Sequence, residues 1–451
     1  MADHNLATPD IAAPGRQQGA PEPERGAPEP ERGASQPAAA RWRWRLMVLG
    51  LVLAAVNLRP AVASLGPLLE EVRADLGMSG TVAGLLTSMP AACFALFGIA
   101  APRLARRWGP GAVVCAGLAA ITAGLALRPL VGGTAAFLAA SALTLAGIAV
   151  GNVLMPVIVK HWFPDRVGPM TGVYSMALSL GTAVAAAVTV PMTDALGGGW
   201  RAGLGVWAAL AAVAVLPWPM LARHRGGGDG DRDRTPAAVP SSQAGKAART
   251  RITKSRTAWA LAVFFGLQAT AAYITMGWMP QVFRDAGVSA STAGLLLAVT
   301  MVMGVPLSFV LPPLAARLRS QGPLVAVLGS FGLAGYAGLW LAPAQGAWVW
   351  AVLLGVSNCS FPLALTMIGM RARTHAGVVR LSAFAQSTGY LLSIPGPLLV
   401  GALYQHSGGW DLPIALMAGL MVPQIAAGLL AGRDRTVEDE IDTEAAPTAG
   451  R

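Results

Sequence analysis

The sequence predicts an all-α polytopic membrane protein, with twelve transmembrane helices arranged as two pseudo-symmetric six-helix bundles. Three observations carry this. The 451-residue chain is 54% hydrophobic and only 12% charged, with a mean hydropathy of +0.54, whereas a soluble domain is about 25% charged. Twelve apolar stretches are long enough to cross a hydrocarbon core of about 30 Å, which takes roughly 20 helical residues. The chain also repeats itself at an offset near 210 residues.

Residues 1–45 carry a tandem GAPEPER repeat in a Pro/Ala/Glu/Arg-rich stretch with no apolar period, so a disordered tail is expected. The apolar run that follows continues to Leu69, too long for a signal-peptide core. The spans are predicted at 46–69, 80–101, 110–128, 134–159, 168–191 and 201–222, then at 257–282, 291–315, 322–343, 346–370, 380–404 and 411–432. They form an amino-terminal bundle (46–222) and a carboxyl-terminal bundle (257–432), joined by a linker (223–256) and ending in a tail (433–451).

The net charge of +11 raises the question of nucleic acid, and the positions of the charges answer it. With the amino terminus in the cytosol, nineteen of the 33 Lys and Arg residues fall in cytosolic loops, including Arg103, Arg106, Arg107, Arg317, Arg371 and nine between 223 and 256. Four fall in outer loops (Arg73, Arg128, Arg201, Arg284) and nine in the two tails. This is the positive-inside bias of a cytoplasmic-membrane protein with both termini cytosolic, and it requires no nucleic-acid partner. The residue left over is Arg59, in the middle of span 1, and no Asp or Glu is left inside a span. Cys93, Cys115 and Cys359 lie singly in apolar runs, which gives no disulfide framework and no metal site.

The repeat pairs AGLL at 83–86 with AGLL at 293–296, Pro102 and Arg107 with Pro312 and Arg317, and Gly199-Trp200 with Gly409-Trp410. At offset 206, Asn152-x-x-x-Pro156 recurs as Asn358-x-x-x-Pro362. With these features the chain resembles the major facilitator superfamily over roughly residues 46–432. PRLARRWG (102–109) is similar to that family's signature loop between spans 2 and 3, which implies a gating role for Arg103, Arg106 and Arg107, although the family's usual aspartate is missing. GGGWR (197–201) is similar to the family's opening of span 6. NLRP in span 1, LGPLL (65–69) and NVLMP in span 4 resemble the cyanate and nitroimidazole transporter branch.

An ionisable residue inside the membrane is a functional-site hypothesis, because insertion scales put an arginine at a helix centre at about 2.5–3.5 kcal/mol. Counting from Arg45, Arg59 lies about 21 Å along the helix, near the bilayer midplane. Pro60 removes a helix hydrogen bond and frees the Val56 carbonyl, which predicts a bend or break beside the charge. Arg59 is then either a fixed cation facing a central cavity or a cation held by carbonyls at a kinked helix end. Asn57, on another face, is expected to make an interhelical hydrogen bond.

The repeat makes Ala269 of span 7 the equivalent of Arg59, with Gln268 beside it, so the charge is one-sided. Asn152 and Asn358 occupy equivalent positions in spans 4 and 10, which resemble the family's cavity-lining helices; they either orient a ligand or bond helix to helix. Ser382, Gln386 and Tyr390 form a polar stripe on span 11. The expected substrate site therefore comprises Arg59, Asn152, Gln268, Asn358, Gln386 and Tyr390, with Pro60 as the adjacent helix break.

No nucleophile and base set, metal cluster or phosphate loop stands out, so no enzymatic activity and no cofactor are expected. The leading expectation is a monomeric secondary transporter in the lipid bilayer, moving a small anion or compact polar organic solute of cyanate-like or nitroimidazole-like chemistry. Efflux of hydrophobic drugs and a non-transporting sensor on a transporter scaffold are the alternatives.

Overall fold

The computed structural model describes residues 38–223 and 252–440. Most of the expected tail at 1–45, the core of the linker at 223–256 and residues 441–451 of the carboxyl tail lie outside them. The chain divides into two compact units. In Met1–Trp44 the described part is helical from Ala38; Arg45–Arg451 contains the membrane helices.

The all-α expectation is borne out: the described residues form helices and no strands. Eleven helices are long and apolar enough to cross a membrane by length and composition. Span 11 is the exception, and the sequence explains why. It is built from His375–Ser393 and Pro395–Ser407, broken at Pro395, and its first half carries the polar stripe of Ser382, Gln386 and Tyr390. The twelve-helix, two-bundle architecture therefore holds, with span 11 set apart by its polar stripe.

Packing inside the amino-terminal bundle depends on small residues. Gly117 of span 3 and Gly147 of span 4 face each other so closely that a Cβ on Gly147 would strike the Gly117 carbonyl, the close backbone approach typical of apolar helix pairs. Between the bundles, Gly66 lies against the Met276 carbonyl and Gly401 against the Gly80 carbonyl. Three polar contacts reinforce that end of the interface. Arg284 meets Glu71 through both terminal nitrogens at 2.8 and 2.9 Å. Thr81 donates its amide and its hydroxyl to Gln405 at 3.0 and 3.1 Å, and Trp278 donates to the Thr87 hydroxyl at 3.1 Å.

Part of the carboxyl tail is docked. Val437 is buried, its amide donating to the Arg371 carbonyl at 2.9 Å. The Glu440 carboxylate accepts from the Ser255 hydroxyl at 2.6 Å and from the Thr257 hydroxyl and amide at 2.7 and 3.1 Å, so it caps the start of the span 7 helix Arg256–Asp285. Burial opposes the charge on Glu440, but these hydrogen bonds outweigh it and hold the carboxyl below its ordinary value of 4.5. Arg371 is almost fully buried because its guanidinium binds the Ala431 and Gly432 carbonyls, both at 2.9 Å.

Candidate functional site

Arg59 occupies a gap in span 1. The helix Ala38–Asn57 stops two residues before it, and Pro60–Ala63 restarts immediately after it with Pro60 in its first turn. Arg59 has φ −126° and ψ −27°, outside the α region, as expected when the proline ring crowds the preceding residue. Pro60 has no amide hydrogen for the Val56 carbonyl. Gly181 of span 5 rests against that carbonyl, and a side chain there would collide with it. A second interruption, not foreseen from the sequence, follows at Ser64–Leu65, after which span 1 continues as a turn at Gly66–Leu68 and a helix at Leu69–Leu76. Asn57 bonds within its own helix, donating to the Leu53 carbonyl at 2.8 Å. The interhelical bond expected for it is corrected accordingly; an asparagine amide reaches back one turn without needing a partner helix.

The Arg59 guanidinium is half-buried and has neither an ion pair nor a hydrogen bond among the described residues. The residues either side of it, Leu58 and Ala61, belong to one buried cluster with Phe94 of span 2, Tyr174 of span 5 and Tyr273 of span 7, and Tyr390 of span 11 packs against that cluster. Tyr174 and Tyr273 are buried. Tyr390 stacks on Phe94 of span 2 with centroids 5.1 Å apart and meets Phe265 of span 7 edge to face at 5.1 Å. The segment that carries the cation is therefore packed with aromatic side chains contributed by both bundles.

The other candidate residues divide into two groups. Asn152 donates to the Ile148 carbonyl of its own helix at 3.0 Å and accepts from the Tyr174 hydroxyl at 3.4 Å, which ties it to the group around Arg59. Gln386 donates to Ser382 at 2.6 Å along the same helix as Tyr390. Gln268 and Asn358, by contrast, come together in a buried network. The Gln268 amide donates to the backbone carbonyl and side-chain oxygen of Asn358 at 3.0 and 2.7 Å, and its own oxygen accepts from Gln424 at 2.8 Å. Pro362 removes the amide that would have bonded the Asn358 carbonyl, and Gln268 takes its place.

Arg103, Arg106 and Arg107 are exposed on the last turns of the helix Gly80–Trp108, so the loop expected at 102–109 is corrected to a helix end. Pro102 leaves that helix continuous; it ends at Gly109, whose φ of +85° suits glycine.

The sequence reasoning placed Arg128 in an outer loop, and the structure buries it. Arg128 is 1% exposed. Its Nε donates to the Ser141 hydroxyl at 3.0 Å, a terminal nitrogen donates to the Ala61 carbonyl at 2.9 Å, and the guanidinium lies 5.7 Å from the Phe137 ring centre. Ala61 belongs to the short helix directly after Arg59, so the second cation braces the interrupted segment that carries the first. One signal was available: Leu58-Arg59-Pro60 recurs as Leu127-Arg128-Pro129. A small cavity lies between the bundles here, lined by Ala61, Val62, Gly66, Thr87, Arg128 and Tyr273.

Comparisons with known proteins agree with this architecture. Residues 46–394 match the Major Facilitator Superfamily. An uncharacterised transporter of Bacillus subtilis is 35% identical over 87% of this chain and 94% of its own length. The 2-nitroimidazole transporter of Escherichia coli is 32% identical over 87% of this chain and 96% of its own, and the E. coli cyanate transport protein CynX 29% identical over 83% and 95%. Among solved structures, a bacterial homologue of the lysosomal transporter Spinster, in an inward-facing and occupied conformation, superposes with a TM-score of 0.69 at 15% identity, covering 88% of this chain and 97% of its own.

Proposed function

This chain belongs to the Major Facilitator Superfamily, and from that premise we propose that it moves a small anion or compact polar organic solute by alternating access around a central site at Arg59. It is a multi-pass transporter of small solutes and not an enzyme. The single observation that supports the Arg59 site is a guanidinium at a helix break with no counter-ion among the described residues. Its planar fork suits carboxylate-like and other delocalised groups and keeps its proton throughout. In this reading Asn152, Gln386 and Tyr390 supply the polar and aromatic walls of the site; the Asn152–Tyr174 contact supports it. Gln268 and Asn358 brace the carboxyl-terminal side, a supporting part rather than the direct contact expected of them. Cyanate-like and nitroimidazole-like solutes are the classes suggested by the relatives.

The two bundles, 46–222 and 257–432, are the bodies that rock. With both termini in the cytosol, as the basic-residue bias supports, the sealed end holding Glu71 and Arg284 faces outward, in the cytoplasmic membrane, and Arg103, Arg106 and Arg107 lie at the cytosolic end. A monomer contains the whole proposed path.

The test is binding and uptake in proteoliposomes with cyanate, nitrate, benzoate, 2-nitroimidazole and a lipophilic drug, comparing the natural protein with Arg59→Ala and Arg59→Lys. Loss of transport in Arg59→Ala, with partial recovery in Arg59→Lys, is expected for an anion. A folded Arg59→Ala protein that moves the same anion at the natural rate removes Arg59 from the site.

A further inference from the structure

We infer that this transporter works by obligate exchange, its bundles reorienting only when an anion occupies the site. The inference rests on the Arg59 reading above and adds the mode of transport. A carrier that returns empty must close around an empty site. Here that would take a guanidinium out of water with nothing to neutralise it, since arginine does not release its proton in a protein.

The surroundings supply no internal counter-ion. Among the described residues the acidic groups of the membrane helices sit at helix ends: Glu70, Glu71 and Asp75 after span 1, Asp194 at the end of span 5, Asp285 at the end of span 7 and Asp411 at the start of span 12. The titratable groups packed with the segment around Arg59 are the phenols Tyr174, Tyr273 and Tyr390, which offer dipoles and no net charge. Arg128 increases the demand. It is a fully buried cation in the same bundle, held by the Ala61 carbonyl and the Ser141 hydroxyl and by no carboxylate among the described residues. The small space beside Arg128 has room for about one water molecule or a small ion, too little for a hydration shell around that guanidinium.

A bound monovalent anion cancels the Arg59 charge at the moment water is expelled, so the loaded site closes at low cost and the empty one does not. Each inward anion is then matched by one outward, the exchange of monovalent anions moves no net charge, and no proton carrier is needed.

The experiment uses the full chain in proteoliposomes, with radiolabelled cyanate as probe and nitrate and benzoate in parallel, and isothermal titration of each anion against the natural protein and Arg59→Gln. Uptake into vesicles preloaded with the same unlabelled anion is expected to exceed uptake into anion-free vesicles by on the order of a hundredfold, the rate equivalent of an unneutralised membrane arginine. An imposed pH gradient should not close that gap. Spin labels at Leu196 and Leu412, exposed at the outer ends of spans 5 and 12, give a second readout. In the natural protein their separation should increase only when anion is added, and in Arg59→Gln it should increase without anion. Equal uptake into loaded and anion-free vesicles, or outer opening of the anion-free natural protein as free as in Arg59→Gln, overturns exchange and leaves the Arg59 site standing. If no anion binds the natural protein more tightly than Arg59→Gln, the Arg59 site itself falls, and exchange falls with it.

Discussion

Span 1 stops at Asn57 and restarts at Pro60, whereas its repeat partner, span 7, runs unbroken from Arg256 to Asp285. The contrast reverses elsewhere. Span 4, with Asn152 and Pro156, is one helix from Thr134 to Trp162, while span 10, with the equivalent Asn358 and Pro362, divides at Cys359. Proline alone therefore does not decide where a helix breaks. In span 10 the carbonyl freed by Pro362 receives the Gln268 amide, so the break is sealed by a neutral bond from span 7. In span 1 the carbonyl freed by Pro60 faces Gly181, and the neighbouring charge has no ion pair or hydrogen bond among the described residues. The same helices occur twice; in one half the break joins helices, and in the other it stands beside a cation.

The strongest way to break this comparison is Arg59→Ala. Transport of an anion should fall by about a hundredfold, the equivalent of losing a charged hydrogen bond of up to ~3 kcal/mol. Unfolding of the purified protein should be unchanged or slightly delayed, because the Arg59 guanidinium has no partner among the described residues. A loss of stability equal to the loss of transport would make Arg59 structural.

Gln268→Leu tests the other half. It leaves the Asn358 carbonyl and Gln424 unsatisfied, which should cost about 1–3 kcal/mol in thermal unfolding, while the affinity of the folded fraction for anion stays unchanged. A selective loss of affinity would return Gln268 to direct contact.

Pro60→Ala restores an amide that can bond Val56. Slower hydrogen exchange at residues 61 and 62 and roughly tenfold slower transport are expected, as the charged segment is drawn back into a regular helix. Unaltered exchange would mean that packing against Gly181, and not proline, sets the break.

Two smaller effects concern the ends of the molecule. Glu71→Gln removes a partly exposed ion pair between the bundles, Arg284 being 21% and Glu71 35% exposed, and such pairs contribute no more than about 1 kcal/mol. Labelling of a cysteine introduced at Thr81 should rise a few-fold at most as the outer end loosens. Glu440→Gln should lower stability by less, about 0.5 kcal/mol. Because the Glu440 carboxyl is held below 4.5 in the folded protein, its contribution is complete above that value and is lost as pH falls through the lower folded value. The difference between the natural and variant proteins should vanish in acid; a difference that grew in acid would mean that the carboxylate is not the capping group.

Helix number and the repeat were legible because a hydrocarbon core demands long apolar segments, and such segments are visible in composition alone. Arg59 was legible for the same reason, as a charge where the solvent is lipid. Arg128 was not. It lies at the end of span 3, between Leu127 and Pro129, where a count by segment assigns it to water, and only the fold turns its side chain inward onto Ala61 and Ser141. The pairing of Gln268 with Asn358 was equally hidden, since 90 residues separate them and sequence spacing carries no information about which helices become neighbours.

The sequence by itself determined the solvent of each segment, the duplicated helix order and the presence of an uncompensated cation near the bilayer midplane, because burial of apolar surface and the cost of a charge in lipid act locally along the chain. The tertiary structure alone decided which freed carbonyls are satisfied, which polar side chains are used up in bonding helices together, and that a second arginine stands behind the first. Those outcomes depend on approaches of a few ångströms between residues far apart in the chain, where the absence of a Cβ at Gly181 or the reach of the Gln268 amide settles the result.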